Sequence, residues 1–130
     1  MNKPPSESRV HSRHSRIVID LQAIRDNYRL LKSIAPDSKL IAVIKADAYG
    51  HGAIEVARAL DDADAFAVAT SGEALLLREA GIKQKMLVLG GVVDAQEMQD
   101  CIEHQLDPVF HQFWQLDLLQ QASMQQPIDI

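Results

Sequence analysis

The residues with the clearest chemical use lie between Leu40 and Gly52, in the stretch L-I-A-V-I-K-A-D-A-Y-G-H-G. An apolar run, Leu40 to Ile44, leads straight into Lys45, and a glycine-rich turn, Gly50-His51-Gly52, follows. A lysine amine held at the end of a dry strand can be the nucleophile that forms a Schiff base with a carbonyl. The plainer use of such a lysine is to snorkel from the strand end to water. Tyr49 can present its hydroxyl to the same ligand or serve as a half-buried loop aromatic. Asp47 is a general base or, more commonly, a carboxylate that caps the loop. The Gly50-His51-Gly52 turn could offer backbone amides to a phosphate, although it carries neither the Walker lysine with its serine or threonine nor the G-x-G-x-x-G spacing. A second glycine pair, Gly90-Gly91, allows either a plain turn or a close approach to a ligand.

Alternating strand and helix patterns place these residues. Asp20 is suited to cap a helix over Gln22 to Ala35 with Ile24, Tyr28, Leu31 and Ala35 on one face, stopped by Pro36-Asp37. Lys39 to Ile44 is an unalternated apolar strand, as expected when both faces of a parallel strand are buried. Ala53 to Leu60 forms a helix with Ala53, Val56, Ala57 and Leu60 inward, and Ala65 to Ala69 the next strand, whose small residues imply a crowded interior. Thr70 and Glu73 have capping-box spacing for a helix that continues through Ala74 to Ala80 and stops at Gly81. Lys85 to Leu89 is a strand. Asp94 caps a helix through His104 with Ala95, Met98 and Ile102 inward. Asp107 to Phe110 is a strand, Phe113 to Ala122 a helix packed through Phe113 and Trp114, and Ile128 to Ile130 the start of one more strand. This alternation requires a parallel sheet with right-handed crossovers.

The chain of 130 residues is long enough for one cored domain but short of the roughly 250 of a closed eight-unit barrel. It is 47% apolar and 24% charged, the balance of an ordinary globular protein, and no apolar run approaches the roughly 20 residues of a membrane span. Lys3, Arg9, Arg13 and Arg16 against Glu7 give residues 1–16 a local charge of +3, so that the rest, within a total of −5, stands at −8. An acidic body argues against nucleic acid as a partner. The basic leader over residues 1–15 has no apolar segment of the secretory kind and is expected to be a disordered extension. A single cysteine, Cys101, excludes an internal disulfide and is assigned to helix packing, and the five histidines have no metal-ligand spacing, so no metal site is expected.

The run Val43 to Gly52, V-I-K-A-D-A-Y-G-H-G, resembles the cofactor-lysine motif of the alanine racemases, pyridoxal-phosphate enzymes with a barrel domain. Ile19-Asp20-Leu21 before a helix that carries Asn27, A-F-A-V-A-T-S-G-E-A-L-L-L-R-E-A-G over residues 65–81 and M-L-V-L-G-G over 86–91 occur in that family's order. The resemblance covers residues 16–130 and implies the first half of a partial (β/α)8 barrel of the TIM type, without the family's C-terminal β domain. It implies pyridoxal 5'-phosphate as cofactor, alanine as small-molecule substrate, no nucleic acid or membrane partner, a cytoplasmic location and, for full-length members, a homodimer. Lys45 would hold the cofactor as a Schiff base and exchange the α-proton on the D-alanine side. Tyr49 would bind the cofactor phosphate, and Val43, with Leu87 or Leu89, would line its pocket.

The family also uses a substrate-side arginine, further phosphate-binding residues, an arginine at the pyridine nitrogen and an opposite-face tyrosine. Tyr28 and Tyr49, the two tyrosines here, lie outside that context. The 130 residues alone are therefore expected to be a catalytically incomplete piece, with open strand edges and an uncovered sheet face. The alternatives are a non-catalytic cofactor-binding or decayed barrel fragment, and a related pyridoxal-phosphate racemase of broader specificity.

Overall fold

A computed structural model describes residues 16–122. Four parallel strands, β1 (Ile41–Val43), β2 (Ala65–Val68), β3 (Lys85–Val88) and β4 (Asp107–Pro108), lie side by side in chain order. Helices alternate with them: α1 (Leu21–Ile34), the short turns α2 (Lys45–Gly50) and α3 (Ala53–Ala59), α4 (Ser71–Glu79), α5 (Ala95–Glu103) and α6 (Phe113–Gln121). Strands ordered as in the sequence and joined by helical crossovers are the arrangement of one arc of a (β/α)8 barrel. The expected strand over Ile128 to Ile130 and the extension over 1–15 lie outside the described residues.

Because side chains alternate across a pleat, the register sorts the sheet into two faces. Val43, Ala67, Leu87 and Asp107 form one cross-strand row, and Phe66 pairs with Met86 and Val68 with Val88 in rows that face the other way. The second face is the core. Phe66, Val68, Met86 and Val88 are fully buried against Val56, Leu77, Met98 and Leu106. Each such side chain contributes roughly 1.5–3 kcal/mol by leaving water. The first face is only partly covered, since Ile41 and Val43 remain 42% and 43% exposed. The expectation that both faces of the first strand are buried is therefore corrected: its outer face packs on helices while its inner face stays open. That strand is also shorter than Lys39 to Ile44, although the Ile44 amide still donates to the Ala67 carbonyl at 2.9 Å.

The helix limits follow local chemistry. Asp20 accepts from the Ala23 amide at 3.0 Å, Asp94 from Glu97 at 2.8 Å, and Thr70 and Glu73 close the expected capping box of α4. Gly81, at φ +86°, stops that helix. Tyr28, buried on α1, donates its hydroxyl to the Leu40 carbonyl and accepts from the Asp64 amide, both at 3.1 Å, so α1 fixes the approach to β1. Cys101 is buried in α5, as the helix-packing assignment requires, and burial pushes its thiol up to about 12.

Several details differ from the sequence reading. Leu31 and Ala35 are exposed, so the inward face of α1 ends one turn earlier than the periodicity suggests. Ala95 is exposed, and Cys101 joins Met98 on the buried side of α5. The strand over Asp107 to Phe110 is paired only at Asp107–Pro108. Phe113 is 88% and Trp114 46% exposed, so neither packs α6. That helix is seated instead by Leu118, Leu119 and the buried Gln115, which donates to the Val92 carbonyl at 2.9 Å and accepts from the amides of His111 and Gln112.

Arg78 is a second fastening that the sequence did not reveal. From α4 it donates to the carbonyls of Ile82, Gln84, His104 and Gln105 at 2.8–3.0 Å, tying the approaches to β3 and β4 together. Burial lowers the proton affinity of its guanidinium, against the pull of Asp107.

Candidate active site

The site begins where β1 ends. Lys45 follows the buried Ile44 and is itself half-buried, and its amine makes no hydrogen bond or ion pair among the described residues. It lies two residues past Val43, at the carboxyl end of β1, where folds of this kind place their chemistry.

The chain then turns in an unusual way. Ala46, Asp47, Ala48 and Tyr49 have φ of +51°, +54°, +52° and +55°, so α2 is a turn of left-handed helix built from non-glycine residues. Each residue in that conformation costs roughly 1–2 kcal/mol because Cβ crowds the following carbonyl. The surroundings hold it there. The Ala48 amide donates to the Ile44 carbonyl at 2.9 Å, the His51 amide to Ala48 at 3.1 Å and the Gly52 amide to Asp47 at 3.0 Å. His51 Nδ1 lies 2.9 Å from the Ala48 carbonyl. Asp47 Oδ1 accepts from the Ala53 amide at 2.7 Å, the contact of a loop-capping carboxylate.

These bonds correct one expectation. The amides of His51, Gly52 and Ala53 are already engaged within the turn, so the Gly50-His51-Gly52 segment does not present them to a phosphate. Its glycines serve the backbone: Gly50 and Gly52 sit at φ +82° and +87°, where a side chain is strained. The Gly90-Gly91 pair likewise answers to packing. A Cβ on Gly90 would lie 2.6 Å from the Ala69 carbonyl oxygen, and one on Gly91 2.5 Å from that of Val109.

Tyr49 is 61% exposed, and its hydroxyl makes no hydrogen bond among the described residues. Tyr49 and Val43 both border an open groove lined also by Tyr28, Ile41 and His51. Val43 and Leu87 share a cross-strand row, and Leu89 lies one pleat further on. The structure thus brings Val43, Lys45 and Tyr49 to the carboxyl end of one strand. Leu87 lies two strands away and borders a different hollow, with Lys85 and Asp107.

Glu73 is the neighbour that sequence reasoning left incomplete. Beyond the capping box, its Oε1 accepts from the Ala46 amide at 2.9 Å, directly after Lys45. The spacing to Thr70 revealed the cap, whereas the reach across 27 residues has no local signal.

The arc of parallel strands with helical crossovers is part of a (β/α)8 barrel, and it carries an unengaged lysine at the carboxyl end of its first strand, the end at which barrels of this kind build their sites. The comparisons narrow this further: the family model for the alanine racemase N-terminal domain matches residues 19–130, and the chain belongs to that family. It is 49% identical over 119 residues to the alanine racemase of Pseudomonas entomophila, covering 91% of this chain and 33% of that one. It is 48% identical to the catabolic alanine racemase of Pseudomonas aeruginosa, with the same coverage. Among solved structures it resembles the biosynthetic alanine racemase of Pseudomonas aeruginosa, with a TM-score of 0.80 and 42% identity over 85% of this chain and 31% of that one. The alanine racemase of Acinetobacter baumannii gives 0.76 and 38%, over 79% and 31%. The chain spans about a third of the length of the relatives it matches.

Proposed function

We propose that this chain contributes the lysine-bearing wall of a pyridoxal-phosphate site that interconverts L- and D-alanine. The observation that carries the reading is the placement of Lys45 in a member of this family: half-buried, at the carboxyl end of β1, its amine unengaged among the described residues. An amine already tied into an ion pair would have to break it before attacking a carbonyl, and Lys45 has none to break.

When bound, pyridoxal phosphate supplies the electron sink that makes loss of the alanine α-proton feasible. The protein's residues supply position and proton traffic. Lys45 would anchor the cofactor through its amine, and the same Nζ would hold and return the α-proton on the D-alanine side. Tyr49 offers a hydroxyl donor to the phosphate. With the amides of His51, Gly52 and Ala53 consumed in the turn, that hydroxyl is the phosphate contact this reading assigns to α2. Val43 gives the pocket an apolar wall. Racemisation needs a base on each face of the α-carbon, and Lys45 is one of the two. The reading extends to a cytoplasmic protein and to a homodimer in full-length members of the family.

The test is spectroscopic. Pyridoxal phosphate added to the purified chain should give a visible band that Lys45→Ala lacks, whereas equal spectra from the two proteins would contradict the reading.

A further inference from the structure

We propose that Glu73 is a positioning residue for Lys45, locking the left-handed turn to the N-terminus of α4. The proposal rests on the reading of Lys45 as the cofactor lysine, although its first observable does not. Glu73 uses both carboxylate oxygens. Oε2 accepts from the amides of Ala69 at 2.7 Å and Thr70 at 3.4 Å, at the end of β2 and the cap of α4. Oε1 accepts from the Ala46 amide at 2.9 Å. One half-buried carboxylate therefore joins the exit of β2 to the peptide that follows Lys45.

That peptide decides where the lysine side chain starts. The Lys45 ψ angle is set by the plane of the Lys45–Ala46 peptide, and Ala46 is the first of the four left-handed residues. Holding its N–H fixes the plane at the point where the backbone leaves the strand for a strained conformation. A capping carboxylate needs only the contact to Thr70, the N-cap residue; the contacts to Ala69 and Ala46 are additional. The bond from Ala46 is also charge-assisted, which makes it stronger than a bond between neutral groups. Residues that position a reactive group within a fraction of an ångström act through supports of this kind.

The experiment compares the full chain with Glu73→Ala, Glu73→Gln and Thr70→Val. Thr70→Val removes the cap hydroxyl but not the contact to Ala46. The first readout is amide exchange at Ala46 by NMR, referenced to the Ile44 amide, which is bonded within the sheet. The second is the rate at which pyridoxal phosphate is fixed on Lys45 under borohydride. Glu73→Ala should speed Ala46 exchange about ten-fold or more relative to Ile44 and slow fixation by a similar factor. Glu73→Gln, which keeps an acceptor oxygen and the length of the side chain, should recover part of both. Thr70→Val should lower the melting temperature while leaving both unchanged. Should Glu73→Ala not fold, the Gln variant carries the test through the same two readouts. Unchanged Ala46 exchange in the Glu73 variants, or equal effects from Thr70→Val, would overturn the proposal. Faster Ala46 exchange in a chain whose parent fixes no cofactor would uphold the lock and refute the cofactor reading of Lys45.

Discussion

Asp47 Oδ1 accepts the Ala53 amide at 2.7 Å, and this bond closes the left-handed turn onto the start of α3. Asp47 meets two demands: it needs an acceptor oxygen and must tolerate a φ of +54°. Asparagine meets both; alanine supplies no acceptor, although Ala46 and Ala48 show that it can take the conformation. Asp47→Ala should therefore cost about 1 kcal/mol of stability or more, and Asp47→Asn close to nothing. Ala46 offers a sharper contrast, because it is exposed and yet at φ +51°. Ala46→Val should cost about 2 kcal/mol despite its exposure, and Ala46→Gly should escape that penalty. Urea titrations of the four variants check the set.

Arg78 makes four hydrogen bonds to carbonyls on two separate approaches to the sheet. Removing it leaves those acceptors without their donor. Arg78→Ala should destabilise by about 3 kcal/mol. Arg78→Lys should recover less than half, since an ammonium cannot span a fork of this width. Thermal or urea unfolding gives both values.

Lys32 donates to Asp64 and the Leu40 amide donates to the same carboxylate, so Asp64 holds its proton less tightly than the ordinary value of 3.8. The Lys32 hydrogen bond is the larger cause and the Leu40 amide the next. A carboxylate with a lowered folded-state value stabilises the fold fully above 3.8 and loses that contribution as pH falls through the lowered value. Urea midpoints followed from about pH 6 to about pH 2.5 should fall more steeply in the parent than in Asp64→Asn. Parallel curves would contradict this.

Local chemistry made much of the fold legible. Asp20, the Thr70–Glu73 pair and Asp94 announce helix starts by side chains that act within three residues, and Gly81 announces a stop by needing a positive φ. The core rows of β2 and β3 follow from apolar runs in the sequence. What stayed hidden was non-local. Ala46, Asp47, Ala48 and Tyr49 are ordinary residues whose left-handed conformation is imposed by bonds to Ile44, Ala53 and Glu73, and nothing in their types declares it. Phe113 and Trp114 are the large aromatic residues of α6, and hydrophobicity points to them as its packing residues, yet both are exposed while Gln115, polar and satisfied, takes the buried position. Arg78 resembled any charged residue on a helix until its four carbonyls came together. For the candidate site, the apolar run before Lys45 places it at a strand end, whereas the cofactor role proposed for it rests on the family motif.

The site of covalent trapping decides whether Lys45 is the cofactor lysine. The 130-residue chain is incubated with pyridoxal phosphate, reduced with borohydride and digested, and the modified peptide is sequenced by mass spectrometry. A stable adduct is expected on Lys45 in preference to Lys39, Lys83 or Lys85, with its loss in Lys45→Ala. An adduct spread over the surface lysines, or one that survives Lys45→Ala undiminished, would contradict it.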